Sequence, residues 1–161
     1  MVSRSWAFPI VIASFGAAIV ALLGATITDI GLWYHSLIQP RWAPADVAYG
    51  IAWTAIYACT ALAGVTAWLA TSHWVERERL LGLFALSGFL NILWSLLFFR
   101  LHRPDWAVIE VLGLWLSIAG LIIIVWPRSM LAAVLLLPYL LWVTFAGYLN
   151  MTIVQLNGPF A

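Results

Sequence analysis

A chain of 161 residues that is 65% hydrophobic and only 8% charged cannot clothe a soluble globule in polar surface, so it belongs in a bilayer. Its formal net charge of +1 is carried by scattered arginines with no lysine at all, which gives no basic field for nucleic acid. A lone cysteine, Cys59, excludes an intrachain disulfide framework or a thiolate metal site.

The first apolar run opens behind Arg4 and lasts about 20 residues, the length of a spanning helix. No small-residue cleavage site with a soluble domain follows it, so a retained first span is expected over 7–28. Within it Ala17, Ala21 and Ala25 recur beside Gly16 and Gly24, a smooth ridge for close helix packing or a homodimer seam. The stretch from His35 to Tyr57, with Pro40, Arg41, Pro44 and Asp46, is the one long interruption of the apolar chain. Its composition predicts a lid loop over 29–46 that folds across the mouth of a bundle. Further apolar lengths at 47–70, 80–100, 105–126 and 129–154 make five spans in all, an all-α membrane bundle in one domain. The breaks are the charged run 72–79 and the short connections 100–104 and 126–129, which force antiparallel neighbours. Arginines divide four (Arg4, Arg77, Arg79, Arg128) to three (Arg41, Arg100, Arg103) between the two ends, which leans towards a cytoplasmic N-terminus.

Eleven tryptophans exceed what two interfacial belts need, so some must face inward. Tyr49, Trp53 and Tyr57 sit four residues apart and stack along one face, either an ordinary aromatic seam or the wall of a pocket for a flat apolar ligand. Ser87, Asn91, Trp94, Ser95 and Phe98 share one flank of the third span. Asn91, a carboxamide in hydrocarbon, must find a partner inside the bundle. Trp106, Glu110 and Gly113 share a face of the fourth span, which also carries the small-residue stripe Gly113, Ser117 and Gly120. Glu110 is expected either to pair with Arg100 or Arg103 or to serve as a cation or proton site. Pro138 is taken as the opening of the fifth helix, on which Tyr139, Trp142, Ala146 and Asn150 follow on one side. His35, His73 and His102 fall in loops without metal-ligand spacing, and no phosphate loop, nucleophile elbow or acid pair is present in the sequence.

Four of these segments resemble the TspO/MBR family (translocator protein, peripheral-type benzodiazepine receptor, tryptophan-rich sensory protein). They are Gln39-Pro40-Arg41-Trp42-Ala43-Pro44, Ala52-Trp53-Thr54-Ala55-Ile56-Tyr57, the run from Leu90 to Phe99, and Pro138-Tyr139-Leu140-Leu141-Trp142 with Phe145-Ala146 and Leu149-Asn150. The resemblance covers essentially the whole chain in order. It implies a five-helix bundle, commonly a homodimer, whose first loop caps a pocket for porphyrins, haem, sterols and synthetic ligands, with no obligatory cofactor. It places Trp42 in the lid and Tyr57, Asn91, Trp94, Trp106, Glu110, Trp142, Ala146 and Asn150 around the cavity, with Trp53 at a position proposed to react with bound porphyrin. Tyr49 and Tyr139 join them as ligand-binding candidates from the aromatic pattern. Three departures stand out. Ala45 replaces a second proline, and Ser87 replaces a glutamine, which is expected to remove an anchor from the pocket. The end of the last helix, Met151 to Leu156, lacks the aromatic and basic residues of the proposed sterol motif.

The function expected is a receptor or sensor that buries a tetrapyrrole between Trp and Tyr walls, with Asn91, Asn150 and Glu110 orienting its polar edge. The alternatives are a light-dependent porphyrin-degrading enzyme using Trp53 and Trp142, and a transporter of porphyrin or sterol-like ligands. The absence of lysine and the Arg, Ala and Leu bias point to a bacterial membrane.

Overall fold

Apolar stretches of this length satisfy their own backbone only by closing into helices, because hydrocarbon offers no partner for a free N–H or C=O. The computed structural model, which describes residues 6–160, accordingly holds five helices long and apolar enough to span a membrane. They are α1 (Ala7–Ile27), α3 (Asp46–Ala70), α4 (Trp74–Ser95, prolonged by a wide π turn over Leu96–Arg100), α5 (Pro104–Val125) and α6 (Met130–Asn157). A short helix, α2 (Leu32–Ser36), lies in the first loop. The protein is an all-α, multi-pass integral membrane protein. Arg4 lies outside the described residues.

Helix ends follow local chemistry more closely than hydropathy does. Ser129 caps α6, its Oγ accepting from the Ala132 N–H at 3.1 Å. Pro104 takes the first position of α5, where its missing N–H has no intrahelical role. The third span starts at Trp74, six residues before the apolar boundary at 80. The charged run is therefore mostly the first turns of α4, not a loop: Trp74 Nε1 donates to Glu78 at 2.7 Å, and Glu76 meets Arg128 at 3.3 Å. Pro138 does not open the last helix but sits inside it, where packed neighbours make an interrupted backbone tolerable.

Helices α5 and α6 form the most extensive contact, an antiparallel hairpin closed by the turn at 126–129. Ile118, Leu121, Val125, Ala132, Ala133 and Leu136 are almost wholly enclosed, and Trp115 Nε1 bonds Thr144 Oγ at 2.8 Å across the seam. Helix α1 is different. It packs chiefly on α3 and α4, and only Pro9 and Gly24 are buried on it. Its large side chains, such as Phe15 and Leu22, face outward, while Ala17, Ala21, Gly24 and Ala25 face inward along two hollows. The small-residue ridge thus lines cavities where close backbone packing was the expectation.

Candidate functional site

An aromatic-lined cavity of about 370 Å³ lies between α1, α3, α4 and α6, at the end covered by the first loop. Its floor and walls come from side chains at helical spacing. Tyr49, Trp53 and Tyr57 descend α3; Trp94 comes from α4, and Phe98 and Phe99 from the π turn; Trp142, Ala146 and Asn150 climb α6. The small residues Ala21, Gly24 and Ala25 of α1 close the remaining side.

The rings hold one another in the edge-to-face and offset geometries that aromatic quadrupoles favour. Trp53 stacks on Tyr57 at 5.4 Å and meets the edges of Tyr139 at 6.1 Å and Trp142 at 6.4 Å. Trp142 in turn lies 6.0 Å from Tyr49, and Trp94 stacks on Phe98 at 5.3 Å. The wide turn after Ser95 lets both Phe98 and Phe99 point inward, although successive residues on a regular α-helix diverge by about 100°. Gly24 makes room here, because a Cβ at that position would stand 3.2 Å from the Tyr57 hydroxyl.

Two asparagines, each 1% exposed, brace the walls. Asn91 accepts from the Tyr57 hydroxyl at 3.1 Å and so fixes that ring, but it is not itself on the cavity surface. Asn150, with its amide oriented by its neighbours, donates to the Pro104 carbonyl at 3.0 Å and accepts from Trp94 Nε1 at 3.3 Å and from the Val108 N–H at 3.1 Å. It therefore ties α6 to α4 and to the first turn of α5, which has no side-chain cap of its own.

The first loop supplies the roof through Thr28, Ile30 and Tyr34. Tyr34 shares a 3.1 Å hydrogen bond with the Tyr49 hydroxyl, and burial pushes its phenol above the ordinary tyrosine range. Asn157 at the end of α6 clasps the loop from both sides, accepting from the Ile38 N–H at 2.7 Å and donating to the Ile38 carbonyl at 2.9 Å. At the neighbouring turn His102, with φ 53°, stacks on Trp33 of α2 at 4.1 Å.

Seven of the twelve sequence candidates meet around this space: Tyr49, Trp53, Tyr57, Trp94, Trp142, Ala146 and Asn150. The other five lie elsewhere. Trp42, 43% exposed, stacks outside on Tyr148 at 5.1 Å, so it pins the loop against α6 and does not cover the cavity itself. Trp106, 51% exposed, lies beneath the Arg103 guanidinium at 4.2 Å, an interfacial cation–π pair. Tyr139 lines a second cavity. Glu110 lines neither, and it does not pair with Arg100 or Arg103. Arg103 is taken by Asp105, only two residues away, and Arg100 donates to the Thr26 carbonyl at 2.6 Å. Both Glu110 oxygens are left buried without a hydrogen bond. Ser87 also faces the second cavity and does not line the first. The sequence reading passed over Tyr34, Ile30 and Phe99, because a five-residue helix and a π turn carry no usable period. Among the described residues no cluster of His, Cys, Asp or Glu could hold a metal ion.

Residues 5–156 match the sequence profile described as the TspO/MBR family. The chain is 38% identical to the tryptophan-rich protein TspO of Chlorobaculum tepidum over 144 residues, 86% of this chain and 89% of that protein. It is 34% identical to the protein CrtK of Rhodobacter capsulatus, with 85% and 87% covered. Identity to the human translocator protein is 30%, with 73% and 70% covered.

Proposed function

The chain belongs to the TspO/MBR family of membrane sensor and translocator proteins, and we propose that it is a receptor that binds a tetrapyrrole in the cavity beneath the first loop. The observation that carries this reading is the wall itself: Trp53, Trp94, Trp142, Tyr49 and Phe98 from three helices surround one apolar space with few polar groups. Flat faces and ring edges suit a planar conjugated ligand, whose burial supplies most of the affinity. Polar contacts at its rim fall to Tyr34, Tyr49 and Thr28 at the roof. Asn150 and Asn91 support the walls and leave ligand orientation to these groups. The protein is taken to act as a homodimer, which sedimentation in detergent checks.

Titration of the purified protein with protoporphyrin tests this reading. Tryptophan fluorescence is expected to be quenched saturably, and Trp53→Phe combined with Trp142→Phe is expected to weaken binding. Unchanged affinity in the double variant removes the pocket from consideration.

A second reading, light-driven oxidative degradation of the bound ring with dissolved dioxygen as the oxidant, draws on one further observation. Trp53 and Trp142 both face the cavity and meet edge to face at 6.4 Å, so either indole can give up an electron next to the ligand. Absorption spectra under illumination separate the two readings, since a receptor leaves the porphyrin bands intact and an enzyme yields a new chromophore. Transport linked to Glu110 finds no support, because that residue is on neither cavity.

A further inference from the structure

A second cavity, of about 420 Å³, lies between α1, α3 and α4 at the end of the bundle away from the first loop, with Tyr139 of α6 at its base. Tyr57, bonded to Asn91, stands between the two hollows and lines both. The second one follows α1 from Phe8 to Val20, about 18 Å at 1.5 Å per residue, so it is a long slot and not a compact chamber. Its lining includes no charged residue. Exposed Phe8, Ile12 and Phe89 stand at its mouth, which therefore opens to the bilayer.

Besides the phenols of Tyr57 and Tyr139, two aliphatic hydroxyls interrupt the hydrocarbon walls. Thr60 Oγ and Ser87 Oγ are both buried, both border the slot and make no hydrogen bond, and Ser87 is only 3% exposed. The Tyr139 phenol faces Ser87 without reaching hydrogen-bond geometry. The state of Thr60 is unusual within this chain. Thr54, Thr66, Thr71, Thr144 and Thr152 all return their hydroxyls to the carbonyl four residues back, the ordinary resort of a helical threonine in an apolar setting. A buried polar group left without a partner is costly, so two beside one cavity mark a place where something else supplies the bond.

We propose that this slot is a second ligand site, one that takes an uncharged, straight-chain lipid from the bilayer and bonds its single neutral oxygen, a hydroxyl or carbonyl, between Thr60 and Ser87. The length of the slot suits an extended chain, and the lack of any ionic group on its walls selects against a charged head. This assignment is independent of the tetrapyrrole reading.

The test uses the full chain in phosphatidylcholine nanodiscs and a long-chain primary alcohol carrying a mid-chain diazirine, with labelled peptides mapped by mass spectrometry. Labels are expected on α1 around Gly16 to Val20 and on α4 around Phe84 to Phe89. Thr60→Val with Ser87→Ala, which keeps shape and removes both hydroxyls, is expected to cut labelling about three- to tenfold. Ser87→Gln, which fills the slot, is expected to abolish it, while protoporphyrin quenching stays as in the parent for both variants. Three results overturn the proposal: equal labelling by the matched alkane diazirine, labelling indifferent to the double substitution, or labelling displaced by protoporphyrin. Should Ser87→Gln fold poorly, the shape-preserving pair decides alone.

Discussion

Replacing Asn150 with leucine is expected to lower stability by about 2 to 5 kcal/mol. The figure follows from its three partners, the Pro104 carbonyl, the Trp94 indole and the Val108 N–H. Hydrogen bonds between membrane helices average about 0.6 kcal/mol and reach about 1.7, so three together span that range. Leucine preserves most of the volume, so the loss is in bonding and not in packing. Asn91 is the internal control, since it is equally buried but makes one side-chain bond, from Tyr57, and its Nδ2 has no partner. Asn91→Leu should therefore cost only about 0.6 to 1.7 kcal/mol. Equilibrium unfolding in mixed detergent micelles, read by helical circular dichroism, measures both. Equal losses for the two variants would refute the account of Asn150 as the tie between α4, α5 and α6.

Glu110→Gln is expected to raise the melting temperature in the same assay, because a neutral amide of the same shape is less costly than an ionisable carboxyl group buried without a partner. A lower melting temperature would mean that Glu110 has a favourable role. Asn157→Ala should loosen the first loop while leaving the helices intact, seen as faster amide exchange over residues 30–45 alone. Ala146→Phe projects a ring into the first cavity and should weaken protoporphyrin binding about tenfold or more at little change in melting temperature.

The spanning segments were legible because hydrocarbon demands long apolar helices and punishes every break. Where the sequence misled, the cause was local. Hydropathy marks the edge of the apolar run at residue 80, whereas α4 begins at Trp74 because charged side chains in its first turns reach polar partners. The inward face of α3 could be read from Tyr49, Trp53 and Tyr57, whose four-residue step survives any small change in helix twist. Asn150 could be placed inside the bundle but not assigned a job, since its partners at Pro104 and Val108 lie more than forty positions earlier. Glu110 illustrates competition: two arginines nearby in sequence looked sufficient, yet Asp105 and the Thr26 carbonyl claim them. Trp42 shows that membership of a loop says nothing of which side of it a ring takes.

The arrangement of α1 reverses the usual map of mutational tolerance. In a water-soluble helix the bulky apolar positions are the fragile ones. Here Phe15 and Leu22 are exposed on the outer face of the bundle, and apolar replacements should serve, whereas enlarging Gly24 by a single methyl crowds the Tyr57 hydroxyl at 3.2 Å. A saturation screen along this helix would find its sensitive sites among the least conspicuous letters of the sequence.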